Sequence, residues 1–248
     1  MSLIADSVRV SWIDMCFIRR NIPSILVTCL VAPLLYLVAF GYGLGKGMTV
    51  DGFPYIAFMI PGVMALTTLT SSFNTVATKV MVQRVYYQSF DELILCSMSP
   101  TAIALGKAYA GAVRGVISCM ILYILGLAIC PEMSLSLWVP VLVVVSSMVY
   151  SLLGVVSGML ANSNLTLTLF TSLVIMPMTF LCGTLFSLDA MPPAVSAVIG
   201  VLPLTHTTEC MRAAVLGTAF PWVSLAVMLV YGVAFLLVAR YVIERGKS

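Results

Sequence analysis

Three side chains near the C-terminal end of the sequence have the types and spacing for acid-base chemistry. His206 is followed by Glu209 one helical turn later, and Arg212 lies a further turn on. This spacing fits a salt-bridged, partly hydrated helix face, and it also fits a group that contacts or gates a substrate. We expect no metal site there.

The sequence lacks the motifs of membrane proteases and transferases. It contains no His-Glu-x-x-His, no Gly-x-Ser-x-Gly and no group of acidic residues spaced for a metal. A lipid-modifying enzyme would need converging acid, base or metal groups, and only the His206 cluster comes near. We therefore predict that the chain is not an enzyme and holds no cofactor of its own.

A glycine-rich string from Gly41 to Gly47 superficially resembles a phosphate-binding loop. A P-loop needs a glycine five residues before the glycine that precedes its lysine, and a Ser or Thr after the lysine. Phe40 and Gly47 stand at those two places around Lys46. ATP and magnesium are therefore expected on another chain.

Charge-free runs dominate the sequence, which is 61% hydrophobic and 8% charged over 248 residues. Residues 21–45, 52–78, 115–131, 133–188 and 213–239 contain no Asp, Glu, Lys or Arg. A bilayer core takes about 20 helical residues to cross, so the longest run must hold two crossings. We predict an all-α polytopic membrane protein, a single domain over 1–248, with six spans near 24–45, 54–77, 108–130, 137–160, 166–187 and 220–240.

Six crossings place both termini on one side of the membrane. Ten of the twelve basic residues then share that side, and only Lys46 and Arg212 remain on the other. Because Lys and Arg accumulate in cytoplasmic loops, both termini are predicted to be cytoplasmic. Within the spans, Gly111-x-x-x-Gly115 and Gly154-x-x-x-Gly158 should permit close helix approach, and Pro33 and Pro177 should bend spans one and five.

Residues 1–20 precede the first span. Apolar and charged residues alternate there at helical spacing: Val8, Trp12 and Met15 with Asp6, Arg9 and Asp14. This pattern predicts an amphipathic helix lying at the cytoplasmic interface, and a solvated leader is the alternative.

A second non-spanning segment, 84–100, lies between spans two and three. Its apolar residues recur at steps of three and four while its acidic residues point elsewhere: Tyr87, Phe90, Leu93, Ile94 and Met98 against Asp91 and Glu92. The pattern predicts a short helix ended by Ser99-Pro100, since the residue before proline is pushed out of helical geometry. The two acidic residues disfavour the anionic inner leaflet, which favours docking into a protein groove.

A third segment, 189–217, is apolar but broken by four residues: Pro192, Pro193, Gly200 and Pro203. Two helices too short to cross, about 192–202 and 205–216, predict a re-entrant hairpin on the outer side before span six.

The predicted spans hold hydroxyls and amides rather than carboxylates. Such a lining suits a large amphipathic or glycosidic solute better than a proton or sodium ion. We expect an outer gate and solute path at Pro203, Thr205, His206, Glu209, Arg212, Asn74 and Thr171. A stand-alone secondary carrier or channel is the alternative, and it would need a membrane-embedded charge or an inverted repeat, neither of which the sequence shows.

Several strings resemble the ABC type-2 exporter permeases: Pro33 to Gly45, Tyr55 to Gly62, Phe90 to Leu95 with Ser99-Pro100, and Pro177 to Phe186. Most specific is Leu202 to Gly217, which is similar to the family's Pro-Leu-x-His, then Arg, then Gly signature. The match runs along nearly the whole chain and is closest in kind to the permeases of nodulation-factor (lipo-oligosaccharide) and antibiotic-resistance exporters.

The resemblance implies a prokaryotic inner-membrane permease that acts as a homodimer with separate ABC ATPase subunits, which bind ATP and magnesium. The exported substrate would be an amphipathic drug, glycolipid or lipo-oligosaccharide, with membrane lipid around the chain and no nucleic-acid partner. The family's coupling helix, which sits in a cleft of the ATPase, maps onto Tyr87, Phe90, Asp91, Glu92, Leu93, Ile94, Met98, Ser99 and Pro100. Its outer re-entrant helices map onto Pro192 to Gly217.

Overall fold

A computed structural model describes residues 3–44, 49–50, 52–95, 98–131, 133–181 and 199–245. The side chains of Asp91 and Ile94 lie outside what it describes. The helices are α1 (Leu3–Arg20), α2 (Ile22–Tyr36), α3 (Tyr55–Val85), α4 (Ser89–Leu95), α5 (Pro100–Ile129), α6 (Trp138–Leu160), α7 (Asn164–Phe170), α8 (Met176–Leu181), α9 (Pro203–Leu216) and α10 (Trp222–Arg245). A two-stranded antiparallel ribbon, β1 (Thr49–Val50) and β2 (Phe53–Pro54), precedes α3.

Within the described residues, six helical stretches are long and apolar enough to cross a bilayer, in agreement with the predicted number of spans. They are Ile22–Phe40, Tyr55–Val85, Pro100–Ile129, Trp138–Leu160, Asn164–Leu181 and Trp222–Arg245. Two boundaries differ from the prediction: α3 continues beyond residue 77 to Val85, and α5 begins at Pro100 rather than near 108. Charge-free runs could not show this, because Lys79 and Lys107 lie inside the helices, where a carboxylate pairs with both.

The two predicted helix-bending prolines both lie beside π-helical segments. Pro33 lies in the last turn of α2, which continues as a π-helix over Leu37–Leu44. Pro177 lies in α8, directly after the π-helical segment Thr171–Ile175. A proline removes one backbone donor and crowds the preceding turn, so a local change of hydrogen-bond register is the physical consequence.

Helix α3 is the centre of the bundle and packs against α5, α6 and α9. Close packing requires the glycines of α6, as the glycine motif predicted. A Cβ atom at Gly154 would lie 2.9 Å from the carbonyl oxygen of Phe73, and one at Gly158 would lie 2.6 Å from that of Ala77. Backbone occupies the space that a side chain would need, and backbone yields little.

Replacing Gly158 by leucine is expected to destabilise the α3–α6 contact by about 2 kcal/mol, the usual range for overpacking a tight core. Thermal unfolding of the detergent-solubilised chain would measure this loss. Gly200→Ala is the control, because no atom of the described residues lies within 4 Å of a Cβ at Gly200. Equal melting temperatures for the two variants would contradict the close packing.

Helix α1 lies against α5, and its buried stripe differs from the predicted one. Asp6, Val10, Asp14 and Ile18 recur every four residues and are buried, whereas Trp12 is exposed. A Cβ at Gly106 of α5 would lie 2.7 Å from the backbone oxygen of Ser7. The exposed apolar side fits an interfacial helix, but the carboxylates of the polar side face protein rather than water.

The second half of the predicted outer hairpin is present as α9. Pro203 occupies the first turn of α9, and Gly217 terminates it in the left-handed conformation with φ of 70°. Residues 192–198 of the predicted first half lie outside the described residues. A re-entrant hairpin therefore stays a prediction.

Three of the spans, Ile22–Phe40, Asn164–Leu181 and α10, are the least buried. Fewer than a quarter of the residues in the most apolar part of each are buried, against 89% for α3. Apolar surface on this scale is stable in contact with lipid or with another membrane chain.

Candidate functional site

Helix α4 is fixed to the end of the bundle by one aromatic anchor. Phe90 is fully buried and belongs to the same apolar cluster as Val76 and Val80 of α3 and Ile103 of α5. Before α4, the chain turns through Gln88, which has a positive φ of 52°. Phe90 thus faces its own chain, and it offers no surface to a partner.

The remaining surface of α4 and its preceding turn is open. Tyr87 is 74% exposed and Glu92 is exposed, whereas Leu93 and Met98 are half-buried against the same cluster as Phe90. An exposed tyrosine is a side chain of the type enriched at protein interfaces.

Ser99 and Pro100 end the predicted segment 84–100, and they also begin the next helix, α5. Ser99 has extended geometry, and its hydroxyl accepts from the backbone N–H of Ala102 at 3.3 Å. Pro100 occupies the first turn of α5, where a proline costs no hydrogen bond. The two residues fix the angle at which the chain leaves the α4 segment.

Several other elements meet at the same end of the bundle as α4. Ala239 and Ile243, near the end of α10, belong to the apolar cluster that contains Phe90. Arg84 donates to the Asn162 side chain at 2.6 Å, and Asn164 donates to the Tyr86 hydroxyl at 3.2 Å. The turn between α6 and α7 and the last turns of α10 therefore lie beside α4.

A three-charge group, which the sequence analysis does not predict, joins α1 to α3 and α5, the two helices that precede and follow α4. One carboxylate oxygen of Asp14 on α1 is 2.6 Å from Nζ of Lys79 on α3, and the other is 3.6 Å from Nζ of Lys107 on α5. The side chains of Asp14 and Lys107 are only 3% and 5% exposed, and that of Lys79 is 33% exposed. One carboxylate therefore ties α1 to the two helices that flank α4.

The predicted outer-gate residues of α9 mainly hold that helix to its neighbours. Oε2 of Glu209 accepts from the Ser224 hydroxyl at 2.5 Å and lies 4.0 Å from Nδ1 of His206. The guanidinium carbon of Arg212 is 3.7 Å from the ring centroid of Phe58 on α3. This geometry fits the salt-bridged helix face, the first of the two roles considered for the His206 cluster.

Pro203 and Thr205 also make structural contacts. The buried Thr205 hydroxyl donates to the carbonyl of Ile199 at 2.7 Å. The Pro203 carbonyl accepts from the Thr207 hydroxyl at 3.0 Å, and Thr207 lies 2.6 Å from the hydroxyl of Tyr150 on α6. The contact between Thr207 and Tyr150 holds the start of α9 against α6.

Glu209→Ala is expected to loosen α9 from α10, because Ser224 and His206 both lose their contact with the carboxylate. The thiol of the neighbouring Cys210 can report this change. Burial raises the pKa of Cys210 to about 12, with a smaller contribution from the negative charge of Glu209. A thiol with that pKa is protonated near neutral pH and reacts slowly. Maleimide labelling of Cys210 at pH 7.5, quantified by peptide mass spectrometry, should become at least about tenfold faster in the variant.

The control for that experiment is Glu244→Ala, since Glu244 pairs with Arg240 on the exposed end of α10. Labelling of Cys210 should stay slow in that variant. A slow rate in Glu209→Ala as well would show that burial alone holds α9 in place.

The two remaining path residues lie apart from α9. Asn74 is exposed on the wall of a cavity of about 750 Å³ between α1, α2, α3 and α5. Thr171 begins the π-helical segment and donates its hydroxyl to the carbonyl of Leu167 at 2.9 Å. Among the described residues, the lining of this cavity includes Asn74 but neither Thr171 nor the α9 residues.

Comparison with known proteins decides the family. A profile of the ABC-2 type transporter family matches residues 9–216. The chain belongs to this family. The match extends from α1 to the end of α9, so it includes the Asp14 group, α4 and the His206 cluster.

Curated relatives of this ABC-2 type permease include a transport permease and nodulation proteins. The inner membrane transport permease YadH of Escherichia coli (strain K12) is 25% identical over 227 residues, which cover 90% of this chain and 88% of that protein. Nodulation protein J of Rhizobium leguminosarum bv. viciae is 28% identical over 231 residues, covering 87% and 85%. Nodulation protein J of Rhizobium meliloti (strain 1021) is 30% identical over 208 residues, covering 79% and 76%.

The family, these relatives and the six spans identify a multi-pass inner-membrane permease. This confirms the resemblance seen in the sequence and the membrane location it implied.

Proposed function

We propose that this ABC-2 type permease is the membrane half of an ATP-driven exporter whose ATPase is a separate subunit. ATP-driven closure of the ATPase dimer would push on α4, and the helix bundle would transmit the motion to the segment 189–217, which is predicted to lie on the outer side. The observation that carries the proposal is α4: a short helix anchored by Phe90, with Tyr87 and Glu92 open to a partner, in a family of transporters.

The proposed exporter is a homodimer with both termini in the cytoplasm. The weakly covered spans Ile22–Phe40, Asn164–Leu181 and α10 supply apolar surface for a second copy as well as for lipid. Basic residues support the orientation, because α1, α4 and the end of α10 share one end of the bundle with most of the Lys and Arg side chains.

The proposed substrate is an amphipathic molecule, namely a drug, a glycolipid or a lipo-oligosaccharide. Two of the relatives are named nodulation proteins, which supports an oligosaccharide-bearing lipid. Hydroxyl and amide groups on α3, including Thr70, Ser71 and Asn74, line the cavity together with apolar side chains. Such a mixed surface can contact a sugar and a hydrocarbon chain in one molecule.

Reconstitution in proteoliposomes tests the proposal. We expect export of a fluorescent glycolipid only when the chain is reconstituted with its ABC ATPase and ATP, and no export when the ATPase carries a Walker A lysine substitution. Movement of the same glycolipid by the permease alone would favour the stand-alone carrier and overturn the proposal.

A further inference from the structure

The cavity between α1, α2, α3 and α5 has an uneven distribution of formal charge. Lys79, Lys107 and Arg114 line it, and Asp14 is the one carboxylate among the described residues of its lining. Three cationic groups and one carboxylate leave a formal surplus of two positive charges. Positive charge beside membrane-spanning helices is costly unless an anion or water compensates it.

Arg114 lies farther along α5 than Lys107. It is seven residues beyond Lys107 along α5, which is about 10 Å at the rise of an α-helix. Its Nη2 atom donates to the Thr28 hydroxyl on α2 at 3.4 Å. Its Nε atom is buried and has no hydrogen-bond partner in the described part of the chain. A guanidinium with an unused donor recognises phosphate and carboxylate groups well.

The rest of the cavity wall mixes polar and apolar side chains. Thr70 and Asn74 of α3 are among the polar ones, and the apolar ones contributed by α2 are Ile25, Ala32 and Pro33. A volume of about 750 Å³ lies within the range of sites for drug-sized ligands. The cavity therefore offers cations and hydrogen-bonding groups beside a hydrocarbon surface.

We propose that this cavity binds an amphiphile whose anionic group lies against Arg114, in surroundings that Lys79 and Lys107 also make positive, with its hydrocarbon portion along α2. The occupant is either an anionic lipid of the bilayer or an anionic amphiphile delivered from solution; the anion beside a hydrocarbon chain is common to both. The proposal does not depend on export, because binding needs neither the ATPase nor ATP.

Cys29 on the cavity lining supplies the readout. The purified full chain is placed in nanodiscs of phosphatidylcholine, and maleimide labelling of Cys29 is followed by peptide mass spectrometry during titration with dodecyl phosphate. We expect dodecyl phosphate to slow the labelling at least about tenfold, while dodecyl maltoside and inorganic phosphate do not. Similar protection by dodecyl maltoside would show an apolar cavity without anion recognition and overturn the proposal.

Arg114→Gln should raise the half-protecting concentration of dodecyl phosphate at least about tenfold, and Arg114→Lys should raise it less. Arg240→Gln is the matched control, since Arg240 pairs with Glu244 outside the cavity. Unchanged protection in a folded Arg114→Gln chain would overturn the proposal. Should that variant fail to fold, the comparison of the three probes on the unaltered chain still decides.

Nanodiscs containing phosphatidylglycerol distinguish the two sources of the ligand. If that lipid alone slows Cys29 labelling and dodecyl phosphate adds nothing, the occupant is a bilayer lipid. If labelling stays fast until dodecyl phosphate is added, the occupant is an amphiphile from solution. Either result supports anion binding, and fast labelling under every condition contradicts it.

Discussion

Replacing Asp14 by asparagine is expected to lower the free energy of unfolding of the permease by about 3 kcal/mol. Breaking a buried ion pair from one side costs roughly 3 to 5 kcal/mol, because the remaining charge stays buried and unpaired. The lower end applies here, since Lys79 is one-third exposed and can turn to water, whereas Lys107 is 5% exposed and cannot. Thermal unfolding should show a midpoint about 6 to 12 °C lower.

Two further variants separate charge from packing. Asp14→Leu combined with Lys107→Met removes the buried carboxylate and the buried ammonium together, so it should recover most of the lost stability. Glu244→Gln breaks the exposed pair with Arg240 and should change stability by at most about 0.5 kcal/mol. If the double variant were as unstable as Asp14→Asn, the unpaired charge of Lys107 would not be the cause.

The Asp14 group bears on the proposed mechanism because of where it lies. Lys79 and Lys107 stand on the two helices joined by the α4 segment, and Asp14 links both to α1. A push on α4 that moved α3 against α5 would have to move α1 or break one of these pairs. Under the proposed function, α1 is therefore part of the moving unit.

The sequence predicted the spans well because lipid contact selects long charge-free runs, and such runs are visible without any long-range information. The boundaries of α3 and α5 were missed for the same reason. A lysine ends a charge-free run whether it lies in water or in an ion pair. Only contact between residues 14, 79 and 107 distinguishes these cases, and such distant contacts leave no local pattern.

The sequence predicts some features of the candidate site and not others. The three and four residue spacing predicts a helix within 84–100, where the structure has the shorter α4 (Ser89–Leu95), but periodicity alone cannot tell that Phe90 is buried and Tyr87 exposed. The four-residue stripe of Asp6, Val10, Asp14 and Ile18 was a signal that α1 buries carboxylates. The sequence alone favours the apolar stripe with Trp12, because acidic residues are rarely buried.

A test of coupling to the ATPase must distinguish the buried Phe90 from the exposed side chains beside it. A charged residue at Phe90 would disrupt the apolar cluster shared by α3, α5 and α10, so the loss of activity would report folding. The informative change is at a side chain that this chain does not need for its own packing. Tyr87 meets that condition.

Tyr87→Ala is expected to weaken binding of the ABC ATPase about 30-fold and to reduce substrate-stimulated ATP hydrolysis to a similar extent, while the melting temperature of the permease stays unchanged. Exposed tyrosines at interface centres contribute 2 kcal/mol or more on truncation, which is about 30-fold in affinity. Co-purification measures the binding, and ATP hydrolysis by the reconstituted complex measures the coupling. Tyr109→Ala is the control, because Tyr109 is an exposed tyrosine within the span α5. Full hydrolysis in Tyr87→Ala would mean that the push reaches the permease elsewhere than the exposed turn before α4.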